Sequence, residues 1–442
     1  MKKVFIETYG CQMNVYDTDI VKSVLLKNGY QLAENEGEAD VVLLNTCSVR
    51  DNANRKVYNR IHNIKHRKNG EPVHIGILGC MATNFRKQLL ENPKLPIDFI
   101  AGPDSYKRLP QLLEALNGSA KRSDNFDVTL SEFETYSDVY PTQTGGVNAW
   151  IAVMRGCDNF CTFCVVPYTR GRERSREPVN IVDEARRLAS EGYRQITLLG
   201  QNVNSYVYEG TRFAELLEQV GEVDGIERIR FTSPHPKDFP RPLLKVIAEN
   251  PKICKQIHLP LQAGSTRVLD MMNRTYSRRE YEDLVLEIRE VYPEMVLTTD
   301  IIVGFPTESD AEFQETLEVM ETVQYDSAFI FKYSERPQTV AQRKFPDDVP
   351  EAIKTERIVR LNEVQKEHSL MRNRAHIGQI HEVLIEAEET KKSSEEIQGR
   401  NDGNKIVILP AGDYGTGNFV RAEITAATTN VLKGRVLSVL DK

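Results

Sequence analysis

Long apolar runs are missing from this chain of 442 residues. Stretches such as residues 41–44 fall far short of the roughly 20 residues that a membrane-spanning helix needs, which excludes a helical span. Residues 1–10 have no apolar core because Glu7 interrupts them, so no secretory signal is expected and the chain reads as cytoplasmic. Positive charge is not in surplus: 57 Lys and Arg against 64 Asp and Glu give a formal charge of -7. A nucleic-acid partner would therefore be held by local basic patches, not by the overall field. Tryptophan occurs once and cysteine only seven times. So few cysteines in a chain of this length exclude a disulfide-stapled fold, and in a reducing compartment they point to metal binding or catalysis.

What is present is an α/β pattern long enough for about three domains at about 150 residues each. Apolar runs at residues 4–8, 40–45 and 74–78 alternate with helical stretches at 15–28 and 54–68. That alternation predicts an N-terminal open parallel βα sheet, because parallel strands need crossover helices. A polar stretch rich in Ser, Thr, Asp and Gly follows. Six further strand signals, at 151–154, 195–199, 226–231, 256–259, 296–303 and 327–331, predict a central partial (β/α)6 barrel with its active site at the strands' C-terminal ends. After a charged helix over about 351–373, runs at 379–386, 405–409, 419–427 and 431–439 lie between Gly-rich turns. They predict a small antiparallel β-barrel, OB-like and suited to RNA. The expected domains are 1–118, a linker at 119–142, 143–373 and 374–442.

Cys157, Cys161 and Cys164 form C-x3-C-x2-C in the loop after the first barrel strand. Three ligands so close together cannot close a tetrahedral zinc site, but they can hold three irons of a 4Fe-4S cluster and leave the fourth open to a chelating molecule. S-adenosylmethionine is such a molecule, and one electron delivered to its sulfonium would release a 5′-deoxyadenosyl radical. The alternative is zinc with a distant fourth ligand. Cys11, Cys47 and Cys80 are dispersed, yet each follows the carboxyl end of a predicted strand. In an open parallel sheet those ends share one edge, where ligands bind. Three thiols there could hold a second cluster; the alternative is that they are small core residues. Cys254 has no matching partner and reads as structural.

Thr8-Tyr9-Gly10-Cys11-Gln12-Met13-Asn14, Asn45-Thr46-Cys47-Ser48-Val49-Arg50, the C-x3-C-x2-C region and Leu199-Gly200-Gln201-Asn202-Val203-Asn204 resemble the radical S-adenosylmethionine methylthiotransferases over nearly the whole chain. The wording around the first two cysteines is similar to the bacterial branch acting on isopentenylated adenosine in tRNA. Branches acting on threonylcarbamoyladenosine or on a ribosomal-protein aspartate differ there and are the rival readings, alongside a non-catalytic RNA-binding protein stabilised by its clusters.

The resemblance implies an enzyme that places a methylthio group on C2 of that adenosine, next to the anticodon, with two S-adenosylmethionine molecules consumed. It implies two 4Fe-4S clusters: Cys157, Cys161 and Cys164 would hold the radical cluster, and Cys11, Cys47 and Cys80 an auxiliary cluster for sulfur delivery. The C-terminal barrel would be a TRAM domain. Phe163 matches the family's aromatic beside the adenine of S-adenosylmethionine. Gly200, Gln201, Ser233 and Gly304, at strand ends, are expected to contact that cofactor. The partners implied are tRNA and an electron donor such as flavodoxin or ferredoxin, with no membrane and a monomeric enzyme. Ala263 and Thr307 depart from the family, which often has Ser and Gly at these places.

The densest basic run lies between Arg50 and Lys68, where Arg50, Arg55, Lys56, Arg60 and Lys65 are candidate phosphate contacts. A solvated helix face is the alternative. Arg170, Arg172, Arg174 and Arg176 alternate along one loop and suit either ion pairs or RNA. His235 and His258 read as hydrogen-bonded structural histidines.

Overall fold

The computed structural model describes residues 2–48, 51–67, 73–116, 124–143, 145–387, 393 and 395–441. Strands β1 (Lys3–Tyr9), β2 (Gln31–Leu32), β3 (Val41–Thr46), β4 (His74–Gly79), β5 (Phe99–Ala101) and β6 (Phe126–Asp127) form a parallel sheet in the order β2-β1-β3-β4-β5-β6. Helices α1 (Gln12–Lys27) and α2 (Asp51–Arg67) follow β1 and β3. β3 is buried at every residue, as a parallel strand covered on both faces must be. The sixth strand lies inside the stretch read as linker. The described part of that stretch does not cross open solvent: Tyr136 is fully buried and its hydroxyl donates to the Pro103 carbonyl. Ser23 and Arg187 donate to the carbonyls of Tyr140 and Pro141. Its polar residues serve as hydrogen-bonding partners for the domains on either side.

The six expected barrel strands are present as Asn148–Ala152, Gln195–Leu199, Arg228–Phe231, Gln256–His258, Val296–Val303 and Ser327–Lys332. They pair in parallel as two three-stranded halves. The first and sixth strands are the edges of an open barrel. Helix Glu351–Arg374 leads to a closed five-stranded barrel, Ile380–Ala387, Glu396–Arg400, Ile406–Pro410, Phe419–Ala427 and Leu432–Leu440. It is not wholly antiparallel, since Ile406–Pro410 and Leu432–Leu440 close it in parallel. Arg228 and Arg230, on the third strand of the central barrel, donate to the carbonyls of Arg400, Glu382, Asp402 and Asn401 and so fasten this domain in place.

The N-terminal sheet meets the central barrel through buried charge. Asp17 of α1 is fully buried, and its two oxygens take Arg155 and Arg170 of the barrel at 2.7 Å each. Arg174 pairs with Asp104 at 3.0 Å, and Arg176 with Glu184 at 2.9 Å while donating to the Tyr16 hydroxyl. Of the four alternating arginines only Arg172 is exposed, paired with Asp158. Apolar contact completes the junction: Ala152 and Leu199, at barrel strand ends, join one core with Tyr16, Ile20 and Tyr136.

Burial favours the protonated form of Asp17, but Arg170 and Arg155 outweigh it and hold the carboxyl below its usual range. Stability from a depressed carboxyl is present above its unfolded pKa and lost as pH falls through the folded one. The junction should therefore weaken only below about pH 4. Asp17→Ala, which leaves two buried guanidinium groups without a counter-charge, should cost about 3–5 kcal/mol. Asp183→Ala, from an exposed pair, should cost under about 1 kcal/mol. Urea midpoints of the two variants check this, and equal losses would refute it.

Candidate functional site

Two cysteine sets face each other across this junction. In the N-terminal set, Cys11 starts α1, Cys47 follows β3 and Cys80 follows β4. The sequence motifs around them form one polar network. The Asn14 amide donates to Asn45 Oδ1 and the Thr46 carbonyl, both at 3.3 Å, and Asn45 returns a bond to the Asn14 carbonyl at 2.9 Å. Thr46 Oγ1 donates to the Leu78 carbonyl at 2.7 Å, and Cys47 N–H to the Tyr9 carbonyl at 2.8 Å. All three strand ends are thus fixed relative to one another. A Cβ on Gly10 would lie 2.8 Å from the Cys47 Cβ, so only glycine lets the first two cysteine loops come together.

Arg170 of the barrel adds positive charge beside these thiols. A hydrogen bond from Cys47 and the Arg170 guanidinium lower the Cys11 thiol to about 6, against the lost hydration. Burial raises Cys80, opposed by the same Arg170. Arg170 Nη1 is buried without a hydrogen-bond partner among the described residues. An anionic cluster held by three thiolates would fit beside this unspent donor.

In the barrel set, Gly156 has φ +78° and a Cβ there would meet the Arg172 carbonyl oxygen at 1.9 Å, so the loop needs glycine at its entry. Gln201 Oε1 accepts the Gly156 N–H at 2.6 Å. A second loop pins the first: Thr162 N–H and Oγ1 donate to the carbonyls of Met272 and Met271, and Asn273 donates to those of Asn159 and Phe160. Arg274, from the same loop, is buried and donates to Cys161 Sγ at 3.3 Å; Val166 N–H donates to Cys164 Sγ at 3.4 Å. N–H groups aimed at sulfur suit a thiolate-bound cluster. Burial pushes the Cys157 thiol up to about 11 and raises Cys164 as well. Metal binding must therefore displace protons here. Among the described residues, no three Cys, His, Asp or Glu side chains are gathered around a point that could hold a single ion.

A cavity of 1710 Å³ fills the barrel, with Cys11, Phe163, Cys164 and Ser233 in the wall at one end and Arg400 and Lys405 of the C-terminal domain at the other. Phe163 and Ser233, two of the residues expected to contact S-adenosylmethionine, line it. Gly200, Gln201 and Gly304 are not among the residues of its wall. A Cβ on Gly200 would meet Met154 at 2.6 Å, and one on Gly304 would meet Lys354 at 2.4 Å. Gln262 was missed: it lines the cavity and its buried Oε1 has no partner among the described residues. Arg274 was missed too, being 110 residues from the loop it serves, with no spacing to betray it.

Thr307 adopts φ +67°, strained for a β-branched residue, and is held by Arg267 on its hydroxyl and carbonyl. Ala263 is fully buried.

Of the basic candidates, Arg50 lies outside the described residues, as do the side chains of Arg55 and Lys65. Lys56 is exposed on α2. Arg60 turns inward to Glu7 and Glu36 at 2.5 Å each, so its charge is neutralised within the domain. His235 Nδ1 accepts the Lys237 N–H, and burial holds its ring neutral, with a pKa near 2. His258 lies between Thr298 at 3.0 Å and Asp300 at 3.3 Å, in the cavity wall.

Comparison with known proteins agrees with this layout. Residues 3–102 match the uncharacterized protein family UPF0004, 151–320 the Radical SAM superfamily and 374–437 the TRAM domain. Radical SAM membership implies a 4Fe-4S cluster and S-adenosylmethionine, and no described helix is long and apolar enough to cross a membrane. Among solved structures, TsrM, a radical S-adenosylmethionine methyltransferase from Kitasatospora setae, aligns with TM-score 0.58 over 77% of this chain and 74% of its own. At 13% identity that likeness shows the fold alone. The tRNA-2-methylthio-N(6)-dimethylallyladenosine synthase of Phocaeicola vulgatus is 45% identical over 98% of this chain and 95% of its own length. That of Chloroherpeton thalassium is 46% identical, over 98% and 96%. The chain belongs to the family of tRNA-2-methylthio-N(6)-dimethylallyladenosine synthases.

Proposed function

We propose that this chain places a methylthio group on C2 of N(6)-isopentenyladenosine beside the anticodon of tRNA, using two S-adenosylmethionine molecules as methyl donor and radical source. The observation that carries the reading is the single cavity whose wall draws on Cys11, Cys164 and the C-terminal residues Arg400 and Lys405. A base brought in by the RNA-binding domain would then meet both cysteine sets in one shared cavity. The names of the relatives favour this substrate over threonylcarbamoyladenosine or a ribosomal-protein aspartate.

In this reading Cys157, Cys161 and Cys164 hold one 4Fe-4S cluster, and Cys11, Cys47 and Cys80 a second. When bound, the first supplies the electron that opens S-adenosylmethionine to a 5′-deoxyadenosyl radical, and the second presents sulfur. Arg274 steadies the Cys161 thiolate, and Arg170 offsets charge at Cys11 and Cys80. Phe163, Ser233 and Gln262 face S-adenosylmethionine, while Gly200, Gln201 and Gly304 shape the loops beneath it. Arg50, Arg55, Lys56 and Lys65 grip tRNA phosphates; Arg60 does not. The chain works as a cytoplasmic monomer, reduced by a flavodoxin or ferredoxin.

Anaerobically reconstituted protein should carry about eight irons. The triple variant Cys11→Ala/Cys47→Ala/Cys80→Ala should carry about four, still cleave S-adenosylmethionine to 5′-deoxyadenosine with dithionite, and form no methylthiolated RNA. Cys157→Ala should lose both activities. Normal product from the triple variant would refute the assignment of the N-terminal cysteines.

Metal-free protein should alkylate with iodoacetamide first at Cys11, with a rate midpoint near pH 6, while Cys157 stays slow at neutral pH. Arg170→Met should move the Cys11 midpoint upward. Peptide mass spectrometry across pH reads both, and equal rates at the two cysteines would contradict the charge distribution described.

A further inference from the structure

Phe329 lines the cavity and yet is 51% exposed. An exposed phenyl ring alone is ordinary on a protein surface. Its position is not. The sixth strand is an open edge of the barrel, and the opposite edge carries Trp150, the chain's single tryptophan, in the same cavity wall. The His258 ring meets Phe329 edge-on, with centroids 6.2 Å apart and planes at 64°. His258 is itself fixed by Thr298 and Asp300. An uncovered aromatic face thus stands beside a rigid polar edge.

That pairing suits a flat heteroaromatic ring with hydrogen-bonding groups on its rim, because base-aromatic stacking is favourable for any base and the polar edge fixes its orientation. S-adenosylmethionine is not the natural occupant. It must reach the cluster end, by Phe163 and Cys164, whereas Phe329 lies three residues back from the strand end at Lys332, about 10 Å deeper at roughly 3.3 Å per residue. It lies toward the end walled by Arg400 and Lys405 of the C-terminal domain, which pair with Glu386 and Asp326.

We propose that Phe329 is the specificity-determining residue for the target nucleotide: the adenine stacks on its exposed face, the branched apolar tail fills the space between it and Trp150, and the Asp300 carboxylate, one oxygen of which is held by His258, accepts a hydrogen bond from the base edge. This rests on the function proposed above, and deepens it to the residues that recognise the substrate.

The test uses the reconstituted enzyme and two synthetic anticodon stem-loops, one with isopentenylated adenosine and one with plain adenosine. Wild-type enzyme should methylthiolate the first in strong preference; if it modifies neither, the proposed function itself fails. Phe329→Ala should raise KM for the prenylated stem-loop by about tenfold or more, with the KM for S-adenosylmethionine unmoved, and should narrow the preference between the two RNAs. Phe329→Tyr, which keeps the ring, should restore most of both. If wild type is selective and Phe329→Ala is equally so, the stacking role is wrong. A rise in the KM for S-adenosylmethionine instead would assign the ring to the cofactor and overturn the proposal.

Discussion

Asp17, buried between Arg155 and Arg170, is the contact on which the geometry of the whole site depends. It projects from the helix that begins with Cys11, and its two partners flank the C-x3-C-x2-C loop in sequence, one just before it and one just after. A charge cluster this dry is costly to assemble and contributes little net stability compared with a well-packed apolar contact. What it provides is orientation. A carboxylate gripped by two guanidinium groups has one good arrangement, where an apolar face could slide. The two cysteine-bearing edges are therefore presented to each other at a fixed angle, and the same Arg170 extends its field to Cys11 and Cys80.

The local wording of the motifs has a physical reading in that light. Asn14 and Asn45 do not face solvent: they are fully buried and bonded to each other's main chain or side chain. Each sits at a fixed offset from its cysteine, so part of a residue pattern that looks like a ligand motif serves to brace the strand ends. The glycines before the cysteines belong to the same logic. Gly10 and Gly156 make room for a neighbouring loop that a methyl group would push away.

Strand ends were legible in the sequence because apolar runs stop abruptly at Cys11, Cys47 and Cys80, and the six central strands were separated from one another by helical stretches. Short strands were not. Phe99–Ala101 and Phe126–Asp127 have three and two residues, too few for a period to show, and Glu396–Arg400 carries Glu, Gln, Gly and Arg with a single buried Ile397 among its apolar positions. The stretch before the barrel was read by composition as a linker, but composition does not report that Tyr136 plugs a core. Likewise the alternating arginines after the C-x3-C-x2-C loop gave no sign of which way they would turn; the carboxylate partners of Arg170 and Arg174, Asp17 and Asp104, lie in another domain. Arg274 illustrates the limit most sharply, since only the folded chain brings it to Cys161.

The third domain is bound by a different device, with consequences for the substrate's path. Arg228 and Arg230 give their hydrogen bonds chiefly to main-chain carbonyls of the C-terminal barrel, two within strands (Glu382 and Arg400) and two in the turn that follows Arg400 (Asn401 and Asp402), and main-chain groups so placed do not move independently of the sheet. The domain is therefore held by its rigid frame and not by side chains that could swing. Arg400, one of the residues whose carbonyl is gripped, turns its own side chain to the cavity wall. The distance from the C-terminal barrel to the cysteine end of the cavity is consequently a property of the fold: under the function proposed above, a base held by that domain would have to be unstacked and inserted along the barrel, because the domain is not free to bend toward the cysteines.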